Sequence, residues 1–219
     1  MRARVHFDED LETLTAELYN LGDMVIQAIR ESFQALSRRD MQRAQRVIEH
    51  DREINQVERD IEAHALRLIA TQQPVASDMR RLIVAIEIAG ELERIADYAK
   101  GIARMALRDT PAPEPALPAE MERMARMAMA MLQKALDAFA ARDSATAEML
   151  AADDDEVDRL YECVETMLTR QMAQNPLTVA WNAGLLFAAH YLERVADRAT
   201  NIGERVVYLV KAQVVELNP

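Results

Sequence analysis

The stretch LERIADYAKGIA, residues 92–103, returns one hundred positions later as LERVADRATNIG, residues 192–203. In a helix, residues four apart lie one above the other. Glu93 and Asp97 therefore share one line of a helix, and Glu193 and Asp197 share another. Outward from this pair, further matches appear. Arg39-Asp40 answers Arg142-Asp143, and Asp51-x-x-Ile54-Asn55 answers Asp154-x-x-Val157-Asp158, both at an offset of 103. Gln73-Pro74 answers Asn175-Pro176 at an offset of 102. The drift in offset means small length changes at turns within a duplicated unit.

The hydrophobic pattern gives each unit three helices. Leu11, Leu14, Leu18, Leu21, Val25 and Ile29 recur at 3/4 spacing, with Asp8 as the expected N-cap and an end near Ser37. A second helix runs from Asp40 as cap to about Thr71, with Val47, Ile54, Ile61 and Leu68 on one stripe. A third starts near Ser77, read as a cap, and ends near Arg108. The pattern then repeats over Pro118–Ala141, Asp143–Gln174 and Thr178 to about Val210. Six helices of roughly 25–32 residues predict an all-α protein of two tandem bundles of three antiparallel helices. The expected units are residues 1–109 and 119–219. Between them, 110–118 holds Pro111, Pro113, Pro115 and Pro118 and reads as a stiff, extended linker.

Composition agrees and narrows the function. Glycine is scarce, 5 residues in 219, and Gly90 and Gly101 are the closest pair. Dinucleotide and phosphate loops need clustered glycines, so both are excluded. Aromatic residues make up only 5%, too few for a large sheet protein. A net charge of −11 makes nucleic acid a poor default partner. Cys163 is the single cysteine, which rules out an internal disulfide and a Cys₄ metal site. The N-terminus turns acidic within ten residues, and no apolar run approaches a membrane span, so the cytoplasm is the expected compartment.

The carboxylate lines are the candidate site. Asp51 and Asn55 stack on the second helix, Glu93 and Asp97 on the third. Asp154 and Asp158 stack on the fifth, and Glu193, Asp197 and Asn201 on the sixth. Like charges at this spacing repel by about 0.2–0.5 kcal/mol. A bound cation offsets that, because hard metals take several oxygen ligands. Chance alone supplies roughly six acidic pairs at this spacing in a chain so acidic, so one such pair carries nothing. What counts is recurrence at matched positions of both units. The plain alternative is a solvated face on which Arg94 and Arg194 neutralise Asp97 and Asp197 three residues on.

Taken together, LERIADYAKGIA, LERVADRATNIGERVVYLV, the turn QQPVASDMR at 72–80, HDREINQVERDIE at 50–62 and the opening FDEDLETLTAELYNLGDMV at 7–25 resemble the PhoU family. The resemblance spans about Phe7 to Lys211. It implies a cytoplasmic negative regulator of the phosphate-starvation response and of phosphate uptake, made of two three-helix PhoU repeats. Its implied partners are the phosphate ABC transporter, at its ATPase PstB, and the sensor histidine kinase PhoR. It further implies metal binding, divalent or ferric (Fe, Mn, Zn or Mg), through ExxxD motifs. These fall on Glu93/Asp97 and Glu193/Asp197, with Asp51 and Asp154/Asp158 as companions. The sequence departs from the family pattern in the first repeat. Gly101 stands where the second repeat has Asn201, and Asn55 where it has Asp158. The first site thus lacks one ligand and one carboxylate.

Other residues are read more plainly. His6, His50, His64 and His190 form no HxH or HxxxH pattern and read as ordinary polar residues, although His190 precedes Glu193 by three. Met121, Met124, Met127 and Met131 have core spacing, and Cys163 reads as a core or flank residue. Trp181 either anchors a partner or caps the bundle end. A ferritin-like metalloenzyme needs Glu-x-x-His on two helices, and no glutamate stands three before any histidine. A non-enzymatic adaptor is therefore preferred over a metalloenzyme or a plain helical scaffold. A homodimer is expected, because long helices in a three-helix unit leave apolar surface uncovered.

Overall fold

The structure, a computed structural model, describes residues 2–108 and 116–218. Among the described residues there are seven α-helices, in order: α1 Arg2–Arg38, α2 Met41–Gln72, α3 Ala76–Ala106, α4 Ala119–Ala141, α5 Ser144–Glu148, α6 Leu150–Gln174 and α7 Val179–Lys211. A single 3₁₀ turn, Pro176–Thr178, precedes α7. The described residues contain no strand.

The apolar stripes fall where the periodicity places them. Leu11, Leu14, Leu18, Leu21, Val25 and Ile29 are buried on α1, and Val47, Ile54, Ile61 and Leu68 on α2. The helix α1 begins ahead of Asp8, so Asp8 lies within it and is not its N-cap. Ser77 likewise does not cap α3; Val75 takes that position without a side-chain bond, and Ser77 lies within the first turn.

The Arg-Asp dipeptide does the same work in both halves. Arg39 and Arg142 adopt left-handed backbone, φ 53° and 54°. The next amide reaches back to close the helix, Asp40 N to Ala35 O at 3.0 Å and Asp143 N to Ala138 O at 2.9 Å. This is the six-to-one bond of a helix C-terminus. The aspartate then caps the next helix: Arg43 N–H donates to Asp40, and Ala145 and Thr146 N–H donate to Asp143.

The expected helix Asp143–Gln174 is interrupted. The chain makes a turn at Met149, which separates α5 from α6. Here the backbone presses on α7: a Cβ on Gly203 would lie 3.2 Å from the Ala147 carbonyl oxygen and 2.7 Å from a Leu150 methyl. The helix tightens at the point of close approach.

The helices α1, α2 and α3 pack into one bundle, and α4, α6 and α7 into the other, with α5 lying on α7. The halves sit side by side through two pairings, α1 with α4 and α3 with α7. On the first seam, Tyr19 OH donates to Asp137 at 2.6 Å. On the second, Arg198 meets Glu91 at 3.3 Å and Arg205 meets Glu87 at 3.5 Å. Met121, Met124 and Met131 are buried, and Met127 packs against the core, so the methionine stripe is core. Trp181 is buried at the bundle end with the Arg39 guanidinium 3.9 Å from its ring centroid. Cys163 is exposed, not in the core. Of the expected linker 110–118, only 116–118 falls within the described residues, where Pro118 has the extended angles φ −57°, ψ 137°. No helix of the described residues is long and apolar enough to cross a membrane.

Candidate metal centre

The first carboxylate cluster lies between α2 and α3. Asp51 is 4% exposed, on a helix face turned inward between Val47 and Ile54. Lys100 comes from α3, with Nζ 2.5 Å from Asp51 Oδ2 and 3.4 Å from Asp97 Oδ1. The bond to Asp51 pushes the Lys100 ammonium above its ordinary pKa. Asp97 is largely open to solvent. Burial, and then the neighbouring Asp97, Glu58 and Asp51, raise the Glu93 carboxyl. Asp51 Oδ1 and Asn55 Oδ1 are buried and receive no hydrogen bond. Arg94, the neutralising partner of Asp97 in the solvated-face alternative, turns to Glu91 instead, at 3.4 Å.

Glu58 belongs to this cluster and was absent from the sequence-derived set. It lies three residues past Asn55, on the same face of α2, and burial raises its pKa too. The signal was present as the spacing Asp51, Asn55, Glu58.

The second cluster lies between α6 and α7. Asp154 is 2% exposed. Burial, followed by Asp197, Asp158 and Glu193, pushes the Asp154 carboxyl up to about 7. Burial and Asp197 push Glu193 up to about 7 as well. Asp158 is raised by burial and then by Asp197. The four carboxylates therefore feel one another. Arg194 does pair with Asp197, at 2.9 Å. Asn201 sits one turn beyond Asp197 on α7, half-buried. His190 Nδ1 is 3.2 Å from Glu193 Oε2, off the line of a hydrogen bond. The other three histidines lie elsewhere: His6 beside Glu9, His50 on the Arg46 carbonyl, and His64 against Glu17.

A distant segment closes this cluster. After α7 the chain folds back, and Leu217 N–H donates to Glu204 at 2.9 Å. Asn218 Nδ2 then donates to Asp154 Oδ2 at 2.5 Å and to Asp197 Oδ1 at 3.3 Å.

As they stand, both sets of carboxylates are turned to nitrogen donors of the chain itself. Among the described residues, no three His, Cys, Asp or Glu side chains are gathered around one point as a metal ion needs. Of the two sets, the second has the donor chemistry closer to what a hard cation takes. Asp154 Oδ1 and Glu193 Oε2 are buried and accept no hydrogen bond, and the surrounding charge is negative apart from Arg194 and, when protonated, His190. The first set has an ammonium in its midst.

Similarity to known proteins repeats this duplicated plan. The sequence model of the PhoU domain matches residues 18–106 and again residues 121–206. The phosphate-specific transport system accessory protein PhoU homolog of Clostridium acetobutylicum is 34% identical over 213 residues, covering 97% of each chain. The phosphate-specific transport system accessory protein PhoU of Escherichia coli is 35% identical over 207 residues, 94% of this chain and 86% of that protein. The crystal structure of PhoU from Pseudomonas aeruginosa superposes with a TM-score of 0.87 at 34% identity, over 94% of this chain and all of that one. The phosphate transport system regulatory protein PhoU from Streptococcus pneumoniae gives a TM-score of 0.90 at 28% identity, over 96% of this chain and 99% of that one. With two matched domains filling most of its length, and relatives sharing a third of its residues from end to end, the chain belongs to the PhoU family.

Proposed function

We propose that this protein is a non-enzymatic accessory protein of phosphate transport, acting in the cytoplasm. It restrains phosphate uptake and the phosphate-starvation response by linking the ATPase of a phosphate ABC transporter, PstB, to a sensor histidine kinase, PhoR. The observation that carries this reading is the match of both halves to the PhoU domain, with curated relatives named as phosphate-specific transport accessory proteins. Such an adaptor needs surfaces of complementary charge and no reacting group. Pull-down from phosphate-replete cells should recover the transporter ATPase, with recovery falling as salt rises. A deletion strain should keep starvation genes on in rich medium. Normal repression in that strain overturns the regulatory role.

The same reading includes a divalent or ferric ion at the second cluster, held by Asp154, Asp158, Glu193 and Asp197, with Asn201 as a fifth oxygen donor. The two buried oxygens without donors support it. An ion there supplies charge to a crowded set of carboxylates and a rigid tie between α6 and α7. Metal analysis and calorimetric titration of the purified chain test it against a Glu193→Gln, Asp197→Asn double variant. Equal, undetectable binding by both ends the metal reading. A second copy of the chain is the expected partner in solution. The exposed apolar residues Leu177, Val179 and Phe187 near the start of α7 support that pairing, and light scattering at micromolar concentration checks it.

A further inference from the structure

Laid one over the other, the repeats differ in the cation at the centre of the cluster. The offset of 100 that aligns Glu93 with Glu193 and Asp97 with Asp197 aligns Lys100 with Thr200. Thr200 carries no charge and is buried, its hydroxyl donating to the Ala196 carbonyl of its own helix at 3.2 Å. Lys100 instead reaches across to α2 and sits on the most buried carboxylate of its cluster. We propose that the Lys100 ammonium is the resident cation of the first repeat, and that this repeat consequently takes no metal ion while the second can.

The argument is one of place and charge. An ammonium 2.5 Å from Asp51 and 3.4 Å from Asp97 occupies the region between α2 and α3 where an ion would have to touch the same oxygens. It also supplies the positive charge that such an ion would bring. A cation entering this cluster would have to displace Lys100 from a carboxylate that is nearly out of water. The ion would have to outdo that ammonium for the nearly buried Asp51, and Lys100, tethered beside it on α3, would go on repelling it. The second cluster has no ammonium: its fixed cation, Arg194, sits on Asp197, and Asp154 Oδ1 and Glu193 Oε2 accept no hydrogen bond, His190 lying beside the latter off the line of one. The amide that does donate to Asp154, Asn218, is neutral and belongs to a segment outside the bundle. The loss of an asparagine at Gly101 is a separate matter. A Cβ there would lie 2.6 Å from the ring of Tyr191, so glycine is required by the seam between repeats.

The inference deepens the metal reading given above and rests on it for the second repeat, but its test does not. The second cluster is first disabled by Glu193→Gln with Asp197→Asn, and zinc(II) is titrated into the full chain by calorimetry. With Lys100 in place, no binding that depends on Glu93 and Asp97 is expected. Adding Lys100→Thr should create a new site, with zinc(II) affinity raised about tenfold or more, as ligand charge tunes cation binding. Adding Lys100→Arg, which keeps the charge, should create none. Should the threonine variant fail to fold in chelator, circular dichroism on addition of zinc(II) gives the same reading, since recovery of helix supports the proposal. Three results overturn it. One is zinc(II) binding through Glu93 and Asp97 while Lys100 is present. The others are a folded threonine variant that gains no site, and an unfolded one that zinc(II) does not rescue while the arginine variant folds. Failure of the second repeat to bind metal in the unmodified chain removes only the earlier reading.

Discussion

The rings of Tyr98 and Tyr191 stack across the seam between the two repeats, centroids 5.9 Å apart and planes 21° from parallel. One turn from Tyr98, Gly101 gives Tyr191 the room to lie there. Gly101→Ala should therefore lower stability. The overpacking costs about 1–3 kcal/mol, against about 1 kcal/mol gained in helix propensity. Gly184 is the control: it is also helical, but an added Cβ meets nothing within 4 Å. Gly184→Ala should stabilise by about 0.5–1 kcal/mol. Urea unfolding of both variants checks the opposite signs.

The second carboxylate cluster should make the metal-free protein more stable in mild acid. Asp154 and Glu193 have folded-state pKa values of about 7, raised above their ordinary values. The folded chain then binds more protons than the unfolded one between about pH 4 and 7, and stability falls as pH rises through that window. In chelator, the melting temperature should rise as pH is lowered from 8 to 5.5. Asp154→Asn with Glu193→Gln should flatten that part of the profile. A flat profile in the unmodified chain counts against the shifts.

The caps are open to a simpler test. Asp40→Ala and Asp143→Ala each remove a side-chain acceptor for the first amides of a helix, worth about 1 kcal/mol. Arg142→Gly should go the other way, because a non-glycine residue in the left-handed region costs about 1–2 kcal/mol. Thermal melts of the three variants give the order.

Ligand counting makes a further prediction about metal. Glu193→Ala with Asp197→Ala should abolish most of the calorimetric signal for Fe, Mn, Zn or Mg, and Glu93→Ala with Asp97→Ala should leave most of it. A larger loss from the first-repeat pair reverses the assignment.

The helices were legible because each carries its own stripe, and the Arg-Asp turns because the same two residues recur at 39–40 and 142–143. The carboxylate lines were legible for the same reason. What escaped depends on contacts between distant parts of the chain. The break at Met149 answers to Gly203, and the side-by-side seam to Tyr191 and Gly101. Lys100 stands three residues from Asp97 in plain view, yet local spacing marks Arg94 as the partner just as well. Only the packing of α2 on α3 puts Asp51 within reach of one and not the other. Asn218 gave no signal at all, being 64 residues from Asp154 in the chain.

That last contact sets a clock on the second cluster. An ion bound there, as proposed above, would compete with Asn218 for Asp154 Oδ2 and Asp197 Oδ1. Residues 212–218 are held by the Leu217 amide on Glu204, partial packing of Val215 and the two Asn218 bonds, while most of their side chains are exposed, the features of a segment that opens ahead of the bundle. If Asn218 has to leave first, entry of such an ion would track the opening rate and not diffusion. In a stopped-flow trace, the observed rate should level off as ion concentration rises, and Asn218→Ala should lift the plateau.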